Sequence, residues 1–259
     1  MKKVSGFFLS VIILFLAGCE REPEIVRRQF QYEKIFFGTY KIEVDIYLEN
    51  IGESGKTAEL IRRLIYRNKN FDEYAAHAES VFTGDIKSED YPPQIDDDGI
   101  EYFYRSNLTE SYNIMYHDKS FVVIEYNNYF YYTGTAHGGF RTQFYIIDIA
   151  GKRILDIEDM ISPIRDDYLK EIILREYDIN NFLRDEIWPP DTINISQEGI
   201  DLIWNIYTIT PYSSGVIFIN IPDEASNQYL KNIGRKLKEA RREEYLRASK
   251  TRSVFTDQS

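Results

Sequence analysis

The chain of 259 residues carries a single cysteine, three histidines and fewer basic than acidic side chains. One thiol cannot close an internal disulfide, so the fold has to stand on its own apolar core. The histidines, at 77, 117 and 137, stand alone in the sequence. No two are three or four apart, the spacing that presents a pair of imidazoles to one metal ion, and no metal or other cofactor is expected. Long apolar runs are missing as well. The most apolar stretch, Phe7 to Leu16, is ten residues long, about half of the roughly 20 that a membrane-spanning helix needs. With 31 Lys and Arg against 42 Asp and Glu, the formal charge is −11. Binding to a phosphate backbone calls for a basic face, so nucleic acid is excluded as the partner.

Motifs for catalysis are equally scarce. Gly52-Glu53-Ser54-Gly55-Lys56 misses the second glycine of a serine-hydrolase elbow. Asp96-Asp97-Asp98-Gly99 has the look of a calcium loop. Aligned on its glycine, however, it puts Gln94 at the first ligand position and Arg105 at the last, which rejects an EF-hand. A pair of carboxylates for glycan cleavage can be neither chosen nor dismissed among 42 acids. An envelope glycan-acting enzyme with carboxylates as acid and base therefore stands as the alternative to a binding protein.

What is present is most explicit at the start. Lys2 and Lys3 precede the apolar stretch Phe7 to Leu16, which ends in Leu16-Ala17-Gly18-Cys19. A basic start, a short apolar core and small residues before the sole cysteine have the form of a lipoprotein signal. The reading is that residues 1–18 are removed, that Cys19 carries lipid, and that 19–30 is a polar tether. Two or three acyl chains give a stable membrane anchor where one does not. The partner expected on this ground is the membrane, and the expected location is outside the cytoplasm, on the cell or outer membrane. Loss of Lys2 and Lys3 would make the mature chain −13, two more negative than the formal −11. A basic stretch closes the sequence: from Lys231 to Ser259 there are nine Lys and Arg against four Asp and Glu.

Lys41 to Leu48 alternates with period two, with Ile42, Val44, Ile46 and Leu48 on one face, and predicts a half-buried strand. Leu60 to Ile65 and Phe71 to Phe82 repeat at helical spacing, as one broken helix or two consecutive ones. Aromatic strand-like runs come next at 100–105, 111–117 and 120–132, then at 142–149 and 154–157, with short turns between. A helical pattern spans 166–187. A hairpin turns at Ser196-Gln197-Glu198, a strand covers 216–221, and Pro222 opens a final helix. Neighbouring strands joined by short turns predict an α+β fold: antiparallel sheets with helices on one face, in two consecutive subdomains. The expected division is 31–132, 133–240 and a charged tail 241–259. Tyrosine is abundant, at 21 residues. It suits half-exposed strands, and also surfaces that grip sugars or proteins.

Two segments carry a resemblance. Tyr131-Tyr132-Thr133-Gly134-Thr135-Ala136-His137-Gly138-Gly139 is similar to a Y-x-G-G-A-H-G stretch, continued by Asp148, Gly151, Lys152, Leu155, Ile157, Asp159, Met160 and Ile161 at matching places. Ile195 to Pro222 (ISQEGIDLIWNIYTITPYSSGVIFINIP) is similar to T-x-x-G-(L/I)…Y-x-(I/L)-x-P-Y-(A/S)-x-G…(V/I)-x-I-P. Both patterns resemble an extracytoplasmic domain shared by lysozyme-sensing anti-sigma factors (RsiV-like) and the non-catalytic part of certain peptidoglycan deacetylases (PdaC-like). Thr135 departs from the family's second glycine. The resemblance implies a surface binding module for cell-wall glycan or a lysozyme-like protein, with Tyr132, Gly134, His137, Gly138, Pro211, Tyr212 and Gly215 as candidate contact residues. The plainer reading of the glycines and prolines is architectural, because they permit or fix turn geometry.

Overall fold

The computed structural model describes residues 24–36, 40–84, 94–95, 101–102, 104–133, 135–177 and 187–256. The apolar leader, Cys19 and Gly134 lie outside the described residues. The fold is α+β, and it divides into two compact units between Arg105 and Ser106.

In the first unit, strand β1 (Ile25–Phe36) runs antiparallel to β2 (Tyr40–Ile51) in unbroken register from Ile25 opposite Ile51 to Phe36 opposite Tyr40. The period-two pattern of β2 becomes burial, with Tyr40, Ile42, Val44, Ile46 and Leu48 all at 3 % exposure or less. Residues 25–30, read from the sequence as tether, are the first half of β1. Their polar side chains are matched across the pair: Arg27 donates to Glu49 at 2.5 Å, and Gln29 donates to Asp45 at 3.2 Å. A strand whose partners are polar carries little apolar signature of its own.

Helices α1 (Lys56–Leu64) and α2 (Phe71–Thr83) come after β2. The helical pattern breaks between them because Arg67 and Asn68 take positive φ, 52° and 62°, and because Asn70 and Glu73 form a reciprocal capping box at the start of α2. Between the helices Tyr66 is fully buried. Its hydroxyl donates to the Glu49 carbonyl at 2.5 Å and its ring meets Phe71 and Tyr74 edge-on. Two short strands, β3 (Gln94–Ile95) and β4 (Glu101–Tyr102), pair with each other.

In the second unit, β5 (Tyr104–His117), β6 (Phe121–Tyr131), β7 (Gly139–Asp148) and β8 (Arg153–Ile154) succeed one another as antiparallel neighbours. The break anticipated between 105 and 111 is absent, since β5 runs straight through. The sequence placed 106–132 with the first subdomain. Here β6 pairs along its length with β7, from Phe121–Asp148 to Phe130–Gly139, and so belongs to the second unit. A register shift between Ile114 and Tyr116 leaves Met115 exposed and turns Tyr116 into the core. The strand expected at 154–157 is cut short, because Asp156 and Asp159 form a capping box that starts α3 (Ile157–Met160).

After α4 (Asp166–Tyr177), a second antiparallel sheet has the order β11-β10-β9, formed by β9 (Thr192–Ser196), β10 (Gly199–Trp204) and β11 (Ile217–Pro222). Ile193, Ile195, Ile200, Leu202, Trp204, Ile217, Ile219 and Ile221 are all at 2 % exposure or less. Each such side chain contributes about 1.5–3 kcal/mol by leaving water. The core they build also takes in Val123, Phe144 and Ile146 from the first sheet, and Leu169, Ile172 and Ile173 from α4. The hydroxyl of Tyr177 clips α4 to β11, donating to the Phe218 carbonyl at 2.6 Å and accepting from the Phe218 N–H at 2.8 Å. The final helical pattern is two helices, α5 (Asp223–Ser226) and the 25-residue α6 (Asn232–Thr256).

Candidate functional site: an aromatic cluster joining two distant turns

How the second sheet meets β7 decides where the motif residues end up. The Asn205 side chain acts as a substitute strand, accepting from the Thr142 N–H at 2.7 Å and donating to the Thr142 carbonyl at 3.1 Å. One step along, the Thr192 hydroxyl accepts from the Phe144 N–H at 2.8 Å and bonds its carbonyl at 3.2 Å. Asp191 then holds the turn after β10 from both ends. Its carboxylate accepts from the Asn205 N–H at 2.7 Å and from the Thr208 hydroxyl at 2.6 Å. The segment 205–208 is thereby fixed beside the start of β7, where the loop 133–139 ends.

Within that pinned turn, Tyr207 takes a φ of +67°. A bulky side chain in the left-handed region is a backbone outlier costing on the order of 1–3 kcal/mol, held by surrounding contacts and characteristic of ligand sites. The outcome is a ring that is 52 % exposed. Its hydroxyl meets His137 Nε2 at 3.0 Å. The other face of the arrangement comes from the next turn along the chain. Pro211 starts a 3-10 turn, Tyr212–Ser214, and Gly215 ends it at φ +71° with its N–H bonded to the Tyr212 carbonyl. Tyr212 lies stacked on His137, with centroids 3.6 Å apart and planes 13° from parallel. Tyr207 and Tyr212 stand 5.9 Å apart, so three rings from two loops form one cluster. His137 Nδ1 lies 3.3 Å from the Gly138 carbonyl, and the Thr135 hydroxyl donates to the His137 carbonyl at 3.1 Å, which orders the loop around the imidazole.

The two glycines after His137 are where rings cross the chain. A Cβ on Gly138 would stand 2.8 Å from the Tyr129 ring and from the Phe130 carbonyl, and one on Gly139 would stand 2.2 Å from the Phe130 ring. Tyr129, Phe130, Tyr132 and Phe140 are each 37–44 % exposed, so the hairpin end between β6 and β7 is itself aromatic. Tyr132 packs near Phe130, centroids 5.7 Å apart, and its carbonyl accepts from Thr135.

Of the residues singled out in the sequence, the fold joins His137, Gly138, Pro211, Tyr212 and Gly215 at one place. Tyr132 stands beside them on the hairpin end, and Gly134 and Cys19 lie outside the described residues. Sequence reading missed Tyr207, Asn205 and Asp191. Tyr207 was within reach, since it opens the same Y-x-(I/L)-x-P-Y spacing that ends in Tyr212. Asn205 has no sequence signal because its partner Thr142 lies on another sheet, and Asp191 has none because it acts on the turn after β10 from the far side of a strand pair. The cluster is open to solvent, and His137 is partnered by a phenol and a carbonyl. Among the described residues no group of three or more His, Cys, Asp or Glu side chains is placed to hold a metal ion.

No family model matches this chain, and no curated protein matches it. Solved structures do share its architecture. The neighbours belong to the DUF3298 family. A member of that family from Bacteroides fragilis has a TM-score of 0.61 and 20 % identity, covering 81 % of this chain and 94 % of its own. A DUF3298 protein from Pseudomonas aeruginosa PAO1 has a TM-score of 0.49 and 16 % identity, covering 82 % of this chain and 96 % of its own. At 20 % identity the likeness to the first is one of fold.

Proposed function

We propose that this chain is a membrane-anchored envelope lipoprotein whose folded part is a non-enzymatic binding module, with the His137–Tyr207–Tyr212 cluster as its contact surface. The observation that carries the reading is the stack of His137 on Tyr212. Two motif segments far apart in sequence converge on exposed rings, while His137 is partnered by Tyr207 and the Gly138 carbonyl. Rigid, half-exposed tyrosines give large contact area at small entropic cost and dominate binding energy where they are buried by a partner. The resemblance to the RsiV-like and PdaC-like extracytoplasmic domain, and the DUF3298 fold of the neighbours, support a module of this kind.

A basic, lysozyme-like protein is the ligand that the −11 charge favours, because opposite charge speeds encounter. The exposure of Tyr207, 52 %, favours a second reading, cell-wall glycan, since sugars pack on tyrosine. Anchoring through Cys19 belongs to the same proposal and rests on the lipobox-like Leu16-Ala17-Gly18-Cys19. Calorimetry of the chain from Glu20 onward against c-type lysozyme and against soluble peptidoglycan oligomers tests the module. Heat from one of them that is lost in Tyr212→Ala supports it, and absence of heat from both at micromolar concentration removes it. Labelled palmitate in the wild type but not in Cys19→Ala supports the anchor, and no label in either rejects it.

A further inference from the structure

A cavity of about 700 Å³ opens in the second unit, away from the aromatic cluster. Its wall is built from the turn between β5 and β6, the turn between β7 and β8, α3, and the first turns of α6. Four cations line it, Lys119, Arg153, Lys231 and Lys236, against two carboxylates, Asp148 and Asp159. The local balance is +2 in a chain whose formal charge is −11.

Asp148 and Asp156 act on Arg153 as well as Asp159 does, so the surplus positive charge of the basin rests on its lysines. Asp159 is already committed, accepting from Arg153 at 2.5 Å and from the Asp156 N–H at 3.0 Å. Lys231 donates to the Glu158 carbonyl at 2.5 Å, which holds its ammonium at the rim and leaves two of its protons unassigned. Lys119 and Lys236 have no hydrogen-bond or ionic partner among the described residues. Cations gathered from separate elements around one concavity repel each other, and a bound anion offsets that cost. The field is reinforced where α6 begins, because its first turn holds no acid, whereas α1 to α5 all carry at least one there.

We propose that this basin binds a phosphate-bearing ligand. A phosphate monoester carries about −1.5 to −2 near neutral pH, which matches the local balance. Arg153 spends one nitrogen on Asp159 and keeps donors for a forked contact, while Lys119 and Lys236 supply free ammonium groups. A soluble phosphate ester and a phospholipid headgroup share this chemistry, and the experiment separates them.

The protein to use is the chain from Glu20 to Ser259, which retains every described element and lacks Cys19, so no acyl chain contributes to membrane partition. One arm titrates it with inorganic phosphate and follows backbone amide shifts. The other measures co-flotation with phosphatidylglycerol vesicles, with phosphatidylcholine vesicles as the neutral control. The expected result is saturable binding in at least one arm, weakened about tenfold or more by combined Lys119→Gln and Lys236→Gln. Both lysines are exposed, so the melting temperature should hold. Tyr212→Ala should leave this binding intact, which keeps it apart from the aromatic cluster. Phosphate binding without flotation assigns a soluble ligand, and flotation without phosphate binding assigns the headgroup. No saturable binding in either arm, or binding that the double variant leaves within about twofold, overturns the proposal.

Discussion

The imidazole of His137 lies flat on the phenol of Tyr212, 3.6 Å between centroids, although the two residues come from different loops on different sheets. If that stack is the contact surface, its loss should cost more than the loss of a peripheral charge. Tyr212→Ala is expected to weaken binding of lysozyme or glycan by about 2 kcal/mol or more, and an exposed acid such as Glu198→Ala by less than about 1 kcal/mol. Titration calorimetry on both variants, with melting curves to confirm folding, checks it. Equal effects would place the contact elsewhere.

The glycine before β7 lends itself to a double-mutant cycle. In Gly139→Ala the new methyl would stand 2.2 Å from the Phe130 ring, so the ring or the strand must move. Overpacking of this kind costs about 1–3 kcal/mol. In a Phe130→Ala background the clash is gone, and the same substitution should cost little. Urea unfolding of the four proteins reads the coupling. Additive effects would mean that the ring is not what requires the glycine.

These relationships mark how far the sequence reaches. The alternation in β2, the hairpin of β9 and β10, and the helical spacing of α1, α2 and α4 were legible because each is local. The resemblance put His137 and the 211–215 turn in one expected contact set, and the fold stacks His137 on Tyr212. The first half of β1 was not legible, because Arg27 and Gln29 gain their meaning only opposite Glu49 and Asp45. Nor was the α3 start that ends β8, where a capping box overrode an apolar run. Tyr207 stands in the motif spacing that ends at Tyr212, but the strained backbone that exposes it was not legible. Its left-handed backbone is imposed by Asp191 and Asn205, residues that no local pattern connects to it.

Asn205 works as a clip only because one side chain both donates and accepts. Asn205→Asp cannot donate to the Thr142 carbonyl, and it brings a carboxylate toward Asp191. The expected cost is about 1–3 kcal/mol, the range for leaving a buried acceptor unpaired. The same change should disturb the amide shifts of Tyr207 and His137, since the turn carrying Tyr207 hangs from this clip. Unchanged stability in thermal melts would show that the clip is dispensable.

The pH dependence of stability has its origin in two sets of groups. The Lys238 ammonium beside Asp223 holds that carboxyl below the usual carboxylate range, and Arg153 does the same for Asp159. A lowered folded value stabilises the native state above the unfolded carboxylate value and is lost as pH falls through the folded one, so stability should decline below about pH 4. At the other end, burial raises the phenols of Tyr66 and Tyr116, and it pushes Tyr32 up to about 12 with help from Glu79. Unfolded phenols ionise near pH 10 while these stay protonated, so stability should also fall as pH rises beyond about 10. Melting temperature against pH, with phenolate absorbance recorded in parallel, tests both edges. A flat profile through the alkaline edge would contradict the burial of these phenols.

The C-terminal helix should divide into a half that matters and a half that does not. Arg241 reaches back to Asn194 Oδ1 at 2.6 Å and to the Ile195 carbonyl at 2.7 Å, with its guanidinium 5.9 Å from the Tyr116 ring centre. Residues 242–249 are mostly exposed, and Arg247 pairs with Glu243 on the helix surface. An exposed pair of that spacing contributes only about 0.3–0.5 kcal/mol. A chain ending at Tyr245 should therefore melt within about 2 °C of the longer one, at about 2–4 °C per kcal/mol for a domain of this size. Arg241→Ala strips two acceptors of their donor and should cost about 1–3 kcal/mol, several degrees on the same scale. Melting the truncated chain beside the Arg241→Ala variant decides the matter. A large loss on truncation would mean that the exposed end of α6 docks on the core, and no loss in Arg241→Ala would mean that the guanidinium clamp is idle.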